Sequence, residues 1–216
     1  MKRNIVIATV AAAALIAGGT ATAIAVSGDD EAPVKRSGVQ VSDDDKNDTD
    51  DNNDSADDET EDATEAKAAE ITAADAINAA LKHKSGTAVS ADLDDEGTNL
   101  VWDVDILTNG GAWHSVQVDP GTGKVLGSHA DRDDDGDDGD DAAETEQIRA
   151  ALKGSSVTAA EAAEAAAGKG TITSVDLDED SKNKAWEIDT TATDGTGSDW
   201  RVTLDTAKVT ADRTDD

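Results

Sequence analysis

The 216-residue chain contains no cysteine, no phenylalanine and no tyrosine, and only four tryptophans and two prolines. Without cysteine there are no disulfides, no thiol nucleophile, no thiolate metal site and no residue to carry a lipoprotein acyl chain. With so few aromatics, buried surface must come from Ala, Val, Ile, Leu and the four Trp, which predicts small cores of limited stability. Basic residues are also scarce: 18 Lys and Arg stand against 49 Asp and Glu, a formal net charge of −31. A charge of that sign repels phosphates and argues against nucleic-acid binding, leaving cations and basic proteins as the electrostatic partners.

One long hydrophobic run is present. Lys2 and Arg3 precede an apolar stretch, Ile5 to Ala17, that continues through small residues to Val26. Charge followed by apolar residues is the order of an export signal. Ala21-Thr22-Ala23 and Ala23-Ile24-Ala25 offer small-x-small cleavage sites. The run is also near the ~20 apolar residues that span a bilayer. Residues 1–26 are thus a signal peptide or a signal anchor, and either outcome sends the acidic remainder outward. The expected location is extracytoplasmic, secreted or held at the outer face of the cytoplasmic membrane.

Composition divides the exported part. Residues 27–66 are dominated by Asp, Glu, Asn, Ser and Thr, with too little apolar surface to offset backbone ordering, and are expected to be a disordered acidic linker. A second acidic run lies within residues 131–143 and separates two segments, 67–130 and 144–213, that carry periodic apolar positions. Those segments repeat one another. Ile71-Thr72-Ala73-Ala74-Asp75 matches Val157-Thr158-Ala159-Ala160-Glu161, each a capping-box start to an Ala-rich helix.

Three alternating segments follow each helix: Val89 to Leu93, Leu100 to Ile106 and Ala112 to Val118, then Thr173 to Leu177, Ala185 to Asp189 and Trp200 to Leu204. Trp102-Asp103-Val104-Asp105 matches Trp186-Glu187-Ile188-Asp189, with Trp and the aliphatic residue inward and the acids outward. Short Gly- and Asp-rich turns make the strands sequential antiparallel neighbours. The predicted fold is α+β: two tandem modules, each one helix packed on a three-stranded antiparallel sheet, joined and tethered by acidic linkers.

Little in the chain suggests catalysis. His83, His114 and His129 form no close motif, and Ser115 and His114 are strand neighbours whose side chains face opposite ways. No organic cofactor is expected. Calcium is the one cofactor with a candidate site: Asp131, Asp133, Asp135 and Gly136 open like an EF-hand loop. Position eight is then Asp138 and position twelve Ala142, which breaks the pattern. Alternation places Trp113 on the outward face of its strand, either as a contact surface or as a packing residue. His114 is expected inward, and counting back from Asp119 and Asp205 aligns it with Trp200.

The helix-opening Ile71-Thr72-Ala73-Ala74, the strand Trp102-Asp103-Val104 and the segment Val116-Gln117-Val118-Asp119-Pro120-Gly121-Thr122-Gly123-Lys124-Val125 together resemble the PepSY domain. That extracytoplasmic module is similar to part of the propeptide of thermolysin-like metalloproteases. The second half carries the weaker counterpart Val202-Thr203-Leu204-Asp205-Thr206-Ala207-Lys208-Val209. The resemblance implies a binding or inhibitory role towards a peptidase or other extracytoplasmic protein, with Asp119, Thr122 and Gly123 of the turn, beside Trp113, as partner-binding candidates. The alternative is an acidic, cation-responsive envelope or secreted protein. Of the two modules, the first, which keeps the glycine turn, is the expected binder.

Overall fold

The structure is a computed structural model describing residues 35–39, 63–96, 99–130, 138–178 and 184–212. The export segment and the calcium candidates Asp131, Asp133 and Asp135 lie outside the described residues. Among the described residues no helix is long and apolar enough to cross a membrane.

Both expected helices form. Helix α1 runs Ala73–His83, and its Thr72 cap accepts from the Asp75 amide while Asp75 answers the Thr72 amide. Helix α2, Asp138–Leu152, begins inside the second acidic run and was not anticipated. Helix α3, Ala159–Ala166, opens on the same reciprocal box between Thr158 and Glu161. The buried stripes of α1 and α3 are almost wholly alanine: Ala73, Ala74, Ala76 and Ala80 around Ile77 in α1, and Ala159, Ala160, Ala162, Ala163 and Ala166 in α3. Such small side chains let the two helices lie close to the sheet and to each other.

Nine strands follow the chain: β1 Thr87–Ala88, β2 Ser90–Glu96, β3 Asn99–Leu107, β4 Trp113–Val118, β5 Val125–Ala130, β6 Thr171–Asp178, β7 Ala185–Thr191, β8 Gly197–Thr203 and β9 Val209–Ala211. The six expected strands appear within a few residues of their predicted positions. Each half adds a further strand, β5 or β9, beyond the turn.

The layout of two separate three-stranded sheets is not what forms. All nine strands belong to one antiparallel sheet, ordered β5-β4-β3-β2-β6-β7-β8-β9, with β1 on β3. The halves join where β2 pairs with β6: Ser90 faces Asp176, Ala91 faces Val175 and Asp92 faces Ser174. Leu93 opposes Trp102 just as Leu177 opposes Trp186, so Ser90, Ala91 and Asp92 are the counterparts of Ser174, Val175 and Asp176. The counterparts of each pair therefore pair as well, Ser90 with Asp176 and Asp92 with Ser174, while Ala91 faces its own counterpart, as in a symmetric dimer interface. The physical reason is edge exposure: β2 and β6 would each otherwise leave a row of unpaired backbone groups, and pairing removes both edges at once.

One face of the sheet carries Leu93, Trp102, Val104, Ile106, Val116 and Val118 from the first half, and Val175, Leu177, Trp186, Ile188 and Val202 from the second. These residues and both alanine helices form one continuous apolar core. Trp186 donates from Nε1 to the Val157 carbonyl at 3.0 Å, whereas the buried Trp102 indole N–H has no partner among the described residues. An unsatisfied buried donor of this kind costs about 1–3 kcal/mol.

A shared core predicts shared unfolding. Trp186→Ala should cost about 3–5 kcal/mol and lower the thermal midpoint reported by the first-half tryptophans as much as that of the second half. A melt in which the first half unfolds at the unmodified temperature would show that the halves are independent.

Candidate functional site

Strand β4 ends at Val118 and the chain turns through Asp119 to re-enter the sheet at Val125. Asp119 organises this turn. Its Oδ1 accepts from the Gly121 amide at 3.0 Å, the Thr122 amide at 2.7 Å and Thr122 Oγ1 at 2.9 Å. Its carbonyl accepts from Gly123 N at 2.8 Å, and Gly123 takes a positive φ of 69° that a side chain would resist. The next carbonyl, Pro120 O, accepts from both Glu70 and Ile71 amides at 2.9 Å, tying the lead-in of α1 to the turn.

The second carboxylate oxygen faces a segment remote in sequence. Gly38 N donates to Asp119 Oδ2 at 2.6 Å and Ser37 Oγ donates to it at 3.4 Å. Lys35 N donates to Leu126 O at 3.0 Å, and Leu100 N donates to Val39 O at 3.2 Å. Residues 35–39, inside the stretch read as a disordered linker, are thus laid between the start of β3 and the start of β5. Val39 closes against the turn: a Cβ on Gly121 would come within 2.9 Å of Val39 Cγ2. Burial alone would raise the Asp119 carboxyl, but donors from Gly38, Thr122 and Gly121 offset it and hold the group below its ordinary value.

The candidates therefore separate. Asp119, Thr122 and Gly123 share one turn. Trp113 lies at the far end of β4, about 20 Å away at ~3.3 Å per residue. It is not an outward contact residue: it is 6% exposed, and its Nε1 donates to Thr145 Oγ1 of α2 at 3.2 Å. Helix α2, absent from the sequence reading, takes up that surface with Ile148 and Ala151.

The second half preserves the turn but not the acid. Sheet register pairs Trp186 with Val202 as it pairs Trp102 with Val118, so Thr203, not Asp205, stands at the place of Asp119. The backbone agrees, because Thr203 N donates to Lys208 O as Asp119 N does to Lys124 O, and Leu204 O accepts from Ser156 and Val157 as Pro120 O does from Glu70 and Ile71. Ala207 occupies the Gly123 position, with φ 52°. The same register places Trp200 opposite Ile188, making it the counterpart of Val116, and Ser198 that of His114. Counting from the acid is off by two residues, a slip that leaves every side chain on its correct face. Thr203 Oγ1 accepts from Lys208 N at 3.2 Å but brings neither charge nor a second acceptor atom, so only the first half carries the Asp119 site.

The sheet face opposite α1 and α3 gathers the acids: Asp92, Asp94, Asp103 and Asp105, then Asp176, Asp178, Glu187 and Asp189. Arg201 bridges Asp178, Glu187 and Asp212 in the second half, and Gln117 stands at its place in the first. Burial and then the neighbouring Asp176 push Asp92 up to about 8, against a hydrogen bond from Ser174, with Asp105 and Asp103 adding to the rise. Among the described residues no group of three or more His, Asp or Glu is arranged to hold a metal ion. Ser115 donates to Asp103 on this face, while His114 stands opposite Ile106 on the other.

Comparison with known proteins singles out the half that carries Asp119. Residues 70–129 match the family model described as peptidase propeptide and YPEB domain, PepSY. No curated protein matches the chain. One solved structure, described as a candidate lipoprotein of Clostridium difficile 630, is similar at 22% identity and a TM-score of 0.40, covering 66% of this chain and 93% of its own.

The acid face generates a pH prediction. Asp92 holds its proton in the folded state up to about pH 8 but loses it near 3.8 when unfolded. Its contribution is full below 3.8 and is lost as pH rises towards 8. Asp92→Asn should therefore raise the melting temperature at pH 8 by at least about 3 °C and flatten the decline between pH 4 and 8. Parallel pH profiles for the two proteins would contradict this.

Proposed function

With a PepSY domain at residues 70–129 as premise, we propose that this is an exported, non-enzymatic binding protein that restrains or regulates peptidase activity outside the cytoplasm. The observation that carries the reading is the buried Asp119 turn, the most constrained polar feature of the domain. Its carboxylate accepts from the backbone amides of Gly38, Gly121 and Thr122 and from the Thr122 and Ser37 hydroxyls, an arrangement that holds a turn and a peptide segment. The family description, which names peptidase propeptides, supports the choice of partner class. The charge-then-apolar start of the chain supports export, whether the segment is removed or retained. The separation of His114 and Ser115 onto opposite faces supports a role without catalysis.

The second half reads as a divergent copy of the same domain. It supplies core and seam, and its turn carries Thr203 in place of the acid. A cation-responsive role is the second reading, favoured by the acid face, where burial first and then the neighbouring Asp176 raise Asp92, since a bound cation would relieve the second of these.

The principal reading predicts a change in secreted proteolysis. Deleting the gene from the producing cell should raise proteolytic activity in the medium, and adding purified protein should lower it in a saturable manner without the protein being consumed. Unchanged proteolysis in both experiments would remove the peptidase reading. Calorimetric titration with calcium tests the second: a heat no larger than that of an acidic peptide of equal charge would exclude a structured cation site.

A further inference from the structure

The segment Lys35–Val39 is held to the first half almost wholly by groups that any extended peptide possesses. Of its four hydrogen bonds to the first half among the described residues, Lys35 N to Leu126 O and Leu100 N to Val39 O are backbone to backbone, and Gly38 N to Asp119 Oδ2 uses a backbone amide. Only Ser37 Oγ contributes a side chain. Lys35, Arg36 and Gly38 remain exposed, and Ser37 alone is buried. The receiving groups belong to the folded domain and would persist without the segment: the Leu100 amide near the start of β3, the carboxylate of Asp119, fixed by Gly121 and Thr122, and a carbonyl of the edge strand β5. β4 stops pairing at Val118 and the Pro120 carbonyl is taken by the Glu70 and Ile71 amides, which leaves Leu100 N without a β4 acceptor beside β3. Unused sheet donors and acceptors beside a fixed acceptor recognise extended peptides by strand addition.

We propose that this groove is a peptide-binding site, that its ligand is an extended segment with a glycine whose amide reaches Asp119, and that Lys35–Val39 is a built-in competitor occupying it in cis. The proposal deepens the binding reading above by naming the site and the form of the partner. Space favours glycine at the central position, since a Cβ on Gly38 would lie 3.3 Å from Asp119 Oδ2 and the held carboxylate would have to give way by a few tenths of an ångström. The small contact and its few hydrogen bonds place the segment among the parts of the structure that open most readily. The covalent connection keeps its local concentration high, so a partner must compete with a tethered ligand rather than enter an empty site. The second half, with Thr203 at the equivalent place, lacks the acceptor and carries no such site.

The test uses the full chain and a fluorescent peptide of residues 33–41. Gly38→Asp sets a carboxylate against Asp119 and should release the segment while leaving the groove intact. The peptide should bind the Gly38→Asp protein at least tenfold more tightly than the unmodified protein, and Asp119→Asn added to Gly38→Asp should abolish the gain. Trypsin should cut after Arg36 faster in Gly38→Asp than in the unmodified protein. Equal peptide binding to the unmodified and Gly38→Asp proteins, or binding to neither, overturns the proposal, as does equal cleavage after Arg36. No peptidase enters the assay, so peptide binding with unchanged secreted proteolysis would retain the site and discard the peptidase reading.

Discussion

The antiparallel seam between β2 and β6 is the interaction on which the rest of the molecule depends. A chain with four Trp and no other aromatics has little to build two separate cores from. The seam lets it build one, with Ala91 and Val175 at its centre and both alanine helices over the same face. It also removes the two strand edges at the middle of the sheet, where exposed backbone would invite pairing with other chains. The cost appears on the opposite face, where burial in the joined sheet, and then the nearby Asp176, raise the titration of Asp92.

The two halves differ at their turns. Both turns keep one backbone course, with a left-handed residue at Gly123 or Ala207 and a carbonyl that receives the helix lead-in. Only one keeps a carboxylate. Thr203 satisfies its own turn and nothing more, whereas Asp119 satisfies its turn with one oxygen and reaches outside it with the other. In the second half the acid face is bridged by Arg201 instead.

Much of this was legible in the sequence, and what was missed has physical reasons. The capping boxes at Thr72 and Thr158 fixed both alanine helices, because the side chains that start a helix are local. Alternation placed Trp102 and Trp186 inward for the same reason. The seam was invisible because Ser90-Ala91-Asp92 and Ser174-Val175-Asp176 read equally well as an edge or as a centre. Helix α2 is hidden by its acids, with Ile148 and Ala151 its strongly buried apolar positions among the described side chains, and without it alternation alone turns Trp113 outward. The equation of Asp119 with Asp205 failed because a two-residue slip preserves the face of every strand residue, and only the hydrogen-bond register distinguishes it. Residues 35–39 dock by backbone groups, which composition cannot reveal.

Hydrogen exchange at the amide of Leu177, which donates across the seam to Val89 O at 3.1 Å, tests the single-sheet account most directly. If the halves share one core, this amide exchanges only when the whole domain unfolds, with the same protection as Ile188 in the neighbouring strand. Exchange of Leu177 far faster than that of Ile188 would mean that the seam opens by itself and that the molecule is two modules side by side.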